Sequence, residues 1–279
     1  MVTILITIGF SALLAFAIGV ALGWFAEKFK IERDPKIDEV RAALPGANCG
    51  GCGYPGCDAY AEAAATGRAP TTKCTAGGSS TADAVSKIMG VSAVAEDLVT
   101  VLLCQGGREQ AVSKGDYIGI RTCRAAKLSA GGIKTCAWGC QGMGDCVAVC
   151  KFDALTMGDD GLPHVDYDYC TGCGLCAEEC PQGLFSLVPR GKEGSIVLCA
   201  NRSVVKPSVA KACKTGCIKC EICVKACPEK CITMVNGIPV TDYVKCTSCG
   251  TCVEKCPTKS YKLLETDIMG QKKKVPVTA

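Results

Sequence analysis

The chain is poor in residues that do acid–base work and in those that fill large cores. Its 279 residues include one histidine, His164, and only 5% are aromatic. No Ser/His/Asp arrangement and no P-loop occurs, and nothing stands out as a general acid or base, so chemistry on bonded atoms is not expected. With so few aromatic side chains the cores must be small, and bound metal is expected to supply much of the folding free energy. The length corresponds to about two or three domains.

Charge is missing from one stretch altogether. Val2 to Ala26 is a run of 25 residues without a charged side chain, followed by Glu27 and Lys28. As a helix it would be about 37 Å long, more than the ~30 Å hydrocarbon core of a bilayer. A signal peptide would be shorter and would begin with a basic segment, which is missing here. The run is therefore read as a retained transmembrane helix. Lys28, Lys30 and Arg33 follow it, and the positive-inside tendency puts the remainder of the chain in the cytoplasm. Ala15, Gly19 and Gly23 form a small-xxx-small stripe along which another helix can approach, and Trp24 sits where an interfacial aromatic belongs.

Against these scarcities stand 25 cysteines. Three runs follow the C-x2-C-x2-C-x3-C-P pattern of bacterial ferredoxins: Cys170, Cys173, Cys176, Cys180 with Pro181; Cys217, Cys220, Cys223, Cys227 with Pro228; and Cys246, Cys249, Cys252, Cys256 with Pro257. Three thiolates of such a run hold one corner each of a [4Fe–4S] cube, and the fourth ligates the neighbouring cube. A secreted disulfide scaffold would not need the Cys-Pro endings. A different four-thiolate pattern, C-x2-C-x4-C-x16-C, joins Cys49, Cys52, Cys57 and Cys74. Gly51-x-Gly53-x-x-Gly56 within it matches a dinucleotide fingerprint, but no strand precedes it and cysteines interleave it, so that reading is rejected. Helices are expected over 36–44, 59–65 and 81–89 around this site.

The remainder repeats itself. Cys136, Cys140, Cys146 and Cys150 recur 77 positions on as Cys213, Cys217, Cys223 and Cys227, and Cys170, Cys173, Cys176 and Cys180 recur 76 positions on as Cys246, Cys249, Cys252 and Cys256. One residue has been lost between, in a turn after Thr156-Met157. The repeat sorts the ligands. Module two is regular, with Cys217, Cys220, Cys223 and Cys256 on one cube and Cys227, Cys246, Cys249 and Cys252 on the other. In module one Met143 stands where Cys220 does, and Cys136 is taken as the substitute: Cys136, Cys140, Cys146 and Cys180 form one set, Cys150, Cys170, Cys173 and Cys176 the other. Twenty cysteines thus hold five [4Fe–4S] clusters. Cys104, Cys123, Cys199, Cys213 and Cys231 are left over. Cys231, aligned with Ala154, reads as a small core residue, and Cys104 and Cys199 each end an apolar strand-like run. The alternative is that Cys104, Cys123, Cys199 and Cys213 converge on a sixth cluster. His164 aligns with Val240 and reads as a strand residue, not a ligand.

Residues 35–196 carry 14 basic and 18 acidic side chains, and residues 197–279 carry 14 and 6. Cubes with four thiolates are anions of about −2 when oxidised, so they offset this excess and nucleic acid is not an expected partner. Lys219, Lys225, Lys245, Lys255 and Lys259 are candidates for steering an acidic redox partner.

The expected fold class is α+β. The expected segments are a transmembrane helix (1–27), a small, mainly helical [4Fe–4S] domain (28–100), two tandem bacterial-type 2[4Fe–4S] ferredoxin modules (101–196 and 197–266) and a basic tail (267–279). A membrane helix, the Cys49-Gly-Gly-Cys-Gly-x-x-Gly-Cys57 site with Cys74, and then ferredoxin modules, in that order, resemble the B subunit of Rnf-type electron-transport complexes. The resemblance covers essentially the whole chain, and the two modules resemble the longer forms of that family. It implies a single-pass subunit in the cell membrane that relays electrons within a ferredoxin:NAD+ oxidoreductase translocating Na+ or H+. It further implies soluble ferredoxin, membrane lipid and other membrane and peripheral subunits as partners, with flavin, NAD+ and ion chemistry on those subunits. Related membrane complexes imply an alternative, the reduction of a redox-sensing iron–sulfur regulator. Met143, and Lys151 after Cys150 in place of proline, depart from the pattern.

Overall fold

The computed structural model describes residues 2–29, 34–92, 95–129, 131–203 and 205–269. Lys30 and Arg33, discussed above from the sequence, and residues 270–279 of the expected basic tail lie outside them. The uncharged stretch forms helix α1 (Val2–Lys28), and Ile8–Lys28 is long and apolar enough to cross a membrane, with none of it buried against the rest of the chain. Space beside Gly19 and Gly23 is open.

Three helices follow: α2 (Pro35–Ala43), α3 (Cys57–Ala65) and α4 (Gly78–Met89). Each begins one to three residues before the start expected from the sequence. Asp34 caps α2 by accepting a hydrogen bond from the Lys36 backbone N–H at 3.0 Å, with Pro35 in the first turn. Leu44, extended ahead of Pro45, ends it. Val40, Tyr60, Ala61, Ala64 and Val85 form the core of this unit. Arg41 joins α2 to α3 through Asp58 at 2.9 Å.

Beyond it the chain folds twice in one pattern. In the first copy β1 (Leu98–Leu102) pairs antiparallel with β4 (Phe185–Pro189), and β2 (Leu155–Met157) pairs with β3 (Pro163–Val165). In the second, β5 (Ser195–Val197) pairs with β8 (Tyr261–Leu263), and β6 (Ile232–Val235) with β7 (Ile238–Thr241). Each copy is thus an inner hairpin flanked by the pairing of its own first and last strands. Short helices lie between: α5 (Cys123–Leu128), α6 (Asp145–Ala148) and α7 (Leu175–Glu179) in the first, α8 (Lys206–Ala212), α9 (Ile222–Ala226) and α10 (Thr251–Glu254) in the second. Met157 pairs with Pro163 but Met234 with Pro239, so the missing residue was lost from the hairpin turn. The shortened turn is Asn236-Gly237, with φ of 49° and 73°, the two left-handed residues that a tight two-residue hairpin requires.

The expected boundaries at 100/101 and 196/197 lie within β1 and β5. The copies also share a core. Leu264, just after β8, is fully buried with Val99, Val101 and Val188 of the first copy.

Candidate metal centres

The ligand loops depend on a turn that ordinary residues avoid. Gly144, Gly174, Glu221 and Gly250, with φ of 88°, 83°, 60° and 75°, each precede one of α6, α7, α9 and α10. The left-handed residue reverses the chain between the second and third cysteines of a run, so the third thiol starts a short helix that points back at the first two. Glu221 adopts this conformation at a cost that glycine would not incur.

The thiols gather around cavities. Cys49, Cys52, Cys57 and Cys74 line one. Its N-terminal loop is held by Asn48, whose side-chain oxygen accepts the Cys57 N–H at 2.8 Å. Cys227, Cys246, Cys249 and Cys252 line another. Cys217, Cys223 and Cys256 pack in one apolar cluster, and the Cys217, Cys220 and Cys256 thiolates act together on the Cys223 thiol. Cys170 and Cys173 act likewise on Cys176, and Cys150 packs beside Cys170.

The irregular site of the first copy is regrouped. Its cavity is lined by Cys140, Cys146 and Cys180, and the fourth thiol lining it is that of Cys123, not Cys136. The α5 N-terminus is pinned there by Asp145, whose Oδ2 accepts the Cys123 N–H at 2.8 Å. Cys136 stands instead with Cys104, Cys199 and Cys213 around a separate cavity. The sequence carried a signal for this. Cys104 and Cys136 are 32 positions apart and Cys199 and Cys213 only 14, so the first copy holds an insertion of 18 residues, and Cys123 lies within the longer segment. Cys231 is buried and lines the Cys227 cavity as a fifth thiol, 3.3 Å from the Cys227 sulfur.

Burial pushes the Cys140, Cys146 and Cys223 thiols up to about 12, and neighbouring thiolates add to the effect. Such thiols keep their protons until a metal displaces them. Cys249 moves the other way, lowered by hydrogen bonds from the Thr251 hydroxyl and backbone N–H. Buried hydroxyls also face sulfur: Thr100 lies 3.5 Å from Cys176 Sγ and Ser195 lies 3.1 Å from Cys252 Sγ. These are equivalent positions on β1 and β5, and hydrogen bonds to cluster sulfurs are one means of setting potential.

Among the described residues, no three His, Cys, Asp or Glu side chains close in as the ligands of one metal ion do. Four thiols around one cavity are the donor set that a [4Fe–4S] cube takes. His164 lies on β3 with Nε2 2.9 Å from Asp160 Oδ1. Of the lysines read as steering charges, Lys219 is buried and donates to the Ser203 carbonyl beside Cys217, so it faces a cluster loop and not a partner. Lys225, Lys245, Lys255 and Lys259 are exposed.

Family models match in three places: "Putative Fe-S cluster" at residues 44–76, "4Fe-4S binding domain" at 163–186 and "4Fe-4S dicluster domain" at 216–260. The chain is 46% identical over 245 residues to the B subunit of the Na+-translocating ferredoxin:NAD+ oxidoreductase complex of Acetobacterium woodii, covering 87% of this chain and 73% of that one. It is 40% identical over 234 residues to the B subunit of the ion-translocating oxidoreductase complex of Methanosarcina acetivorans, covering 84% and 88%. To the B subunit of the proton-translocating ferredoxin:NAD+ oxidoreductase complex of Clostridium ljungdahlii it is 38% identical over 246 residues, covering 88% and 86%. An apolar N-terminal helix, a four-thiol site behind it and two ferredoxin-type modules agree with those matches in order and extent, and the chain belongs to the family of B subunits of ion-translocating ferredoxin:NAD+ oxidoreductase complexes.

Proposed function

We propose that this chain carries electrons from reduced ferredoxin towards NAD+ inside a membrane complex that translocates an ion, and that it does so through [4Fe–4S] cubes alone. The observation that carries the reading is that neighbouring thiol sets abut. The backbone at Gly51 presses on Cys173, joining the N-terminal site to the first module. Cys146 and Cys176 share one apolar cluster, as do Cys217 and Cys252. When bound, each cube accepts and returns one electron at a time. The chain's own residues hold the cubes, shield them from water and tune them through hydroxyls such as Thr100 and Ser195.

Five ligand sets follow in this reading: Cys49, Cys52, Cys57 and Cys74; Cys123, Cys140, Cys146 and Cys180; Cys150, Cys170, Cys173 and Cys176; Cys217, Cys220, Cys223 and Cys256; Cys227, Cys246, Cys249 and Cys252. The units are a membrane helix to residue 27, a helical cluster domain to residue 97, and modules beginning at Leu98 and Ser195. The positive charge after α1 favours a cytoplasmic position for the cysteine-rich part, where soluble ferredoxin is the donor and other subunits of the complex are the acceptors. The relatives are named for different ions, Na+ in one and the proton in another. The test is ion uptake by vesicles containing the purified complex, given reduced ferredoxin and NAD+. Uptake that needs both is expected. Zinc in place of iron on this chain, or fewer than ~8 irons after anaerobic reconstitution, would overturn the reading.

A further inference from the structure

Between the two modules lies a cavity that the five-cluster reading leaves unused. Like the three cavities above, it is lined by four thiols, those of Cys104, Cys136, Cys199 and Cys213. We infer that these four thiolates hold a sixth [4Fe–4S] cluster, which connects the electron path of the first module to that of the second.

Four distant segments converge here by backbone pairing. Cys104 and Cys199 face one another in an antiparallel bridge, and Ala111 faces Cys213 in another. The Val112 N–H donates to the Ala212 carbonyl at 2.9 Å, and the Thr135 N–H to the Val112 carbonyl at 2.8 Å, which brings in the loop of Cys136. The arrangement is two-fold in the sense of the repeat. Thr100-Val101-Leu102-Leu103-Cys104 and Ser195-Ile196-Val197-Leu198-Cys199 match at an offset of 95 positions, and Cys136-x-x-Gly139-Cys140 and Cys213-x-x-Gly216-Cys217 match at 77. Each module therefore contributes one cysteine two residues past its first strand and one four residues before its first ligand run. A packing role would not require thiols at both members of both pairs.

The surroundings fit an anionic cube. The Asn201 side-chain amide donates to Cys136 Sγ at 3.5 Å, and the Thr215 hydroxyl lies 3.4 Å from Cys213 Sγ. Gly106 keeps the wall thin: a Cβ there would come 3.5 Å from Cys213 Sγ and 3.6 Å from Cys104 Sγ. Its carbonyl accepts a hydrogen bond at 2.5 Å from the ammonium of Lys134, a residue only 8% exposed with no carboxylate paired to it among the described residues. A buried cation of this kind needs negative charge nearby; Lys134 already acts on the Cys140 thiol, and a cube of about −2 in the cavity that Gly106 lines would add to the negative charge it faces. The position is between established neighbours. Cys104 packs with Cys140 in one apolar cluster, and Cys199 packs with Cys217 in another. Without a cofactor here, electrons would have to cross the gap between modules unaided.

The inference rests on cluster binding by this chain, so the test separates the two. In full-length protein purified and reconstituted without oxygen, the wild type should hold ~24 irons, and Cys136→Ala with Cys213→Ala ~20. Each single variant should lose four irons or show a three-iron EPR signal, and the double variant should lose no more than one cube. Cys231→Ala should keep the full complement. A wild type saturating at ~20 irons would overturn the sixth cluster while leaving the other five intact, as would a loss from Cys136→Ala but none from Cys213→Ala. The wild-type count decides the matter even if a variant fails to fold, and zinc or near-absence of iron would instead sink the electron-carrier reading itself.

Discussion

Replacing Gly51 with alanine probes the joint between the N-terminal site and the first module. A Cβ at this position would lie 2.8 Å from the Cys173 carbonyl oxygen and 3.0 Å from the Cys173 Cβ. Neither atom is the far end of a flexible side chain; both belong to a ligand loop. The substitution therefore forces two loops apart. Overpacking of this sort costs ~1–3 kcal/mol, which lowers the docking equilibrium constant by roughly 5- to 150-fold. Both cubes keep their own ligands, so iron content should hold. EPR of the fully reduced protein should show weaker spin coupling between the Cys49 site and the Cys150/Cys170/Cys173/Cys176 site, and ferredoxin-dependent NAD+ reduction by the whole complex should slow. Unchanged coupling together with an unchanged rate would refute the idea that this contact sets the distance between the two cubes.

Other substitutions address single sites. Cys123→Ala should cost one cube or convert it to a three-iron form, and adding Met143→Cys should restore it by recreating the ligand position of Cys220; full iron in Cys123→Ala alone would return the fourth ligand to another thiol. Lys219→Met removes a buried positive charge beside Cys217, so the midpoint potential of that cube should move to more negative values in a redox titration, and a potential that stays put would place the charge effect elsewhere. Oxidative chelation of iron should unfold the second module before the helical domain in hydrogen exchange, because Cys199, Cys223, Cys231 and Cys252 are part of the second module's core while the helical domain also has Val40, Tyr60, Ala61 and Val85; simultaneous loss of protection would contradict this.

The ligand runs were legible because a cube imposes fixed local spacing, and a duplicated run identifies its own partners. The lost residue was legible too, since a change of offset from 77 to 76 has to fall in a turn to leave both strands paired. The irregular site was harder. Choosing Cys136 for the place left by Met143 relied on proximity in sequence, whereas the thiol lying beside Cys140, Cys146 and Cys180 is that of Cys123, carried on a helix within an insertion and held by Asp145. Contacts of that kind depend on how an insertion folds over its module, which spacing does not encode. The same holds for Lys219, whose charge was visible but whose burial against Ser203 was not. Cys104 and Cys199 were read as ends of strand-like runs, and each lies two residues past a strand; that the two face each other in a bridge follows only from how the modules meet.

Each module finishes on the strand beside the one it started from, β4 against β1 and β8 against β5. Its two ends therefore leave from the same edge, and Arg190 to Gly194 are all the chain needs to pass from one module to the next. A unit closed in this way can be copied in tandem without disturbing the copy before it, as with domain insertions that succeed where chain ends lie close together. Lengthening such a conductor is then a matter of adding links, and the joint between links is where new chemistry has to be invented.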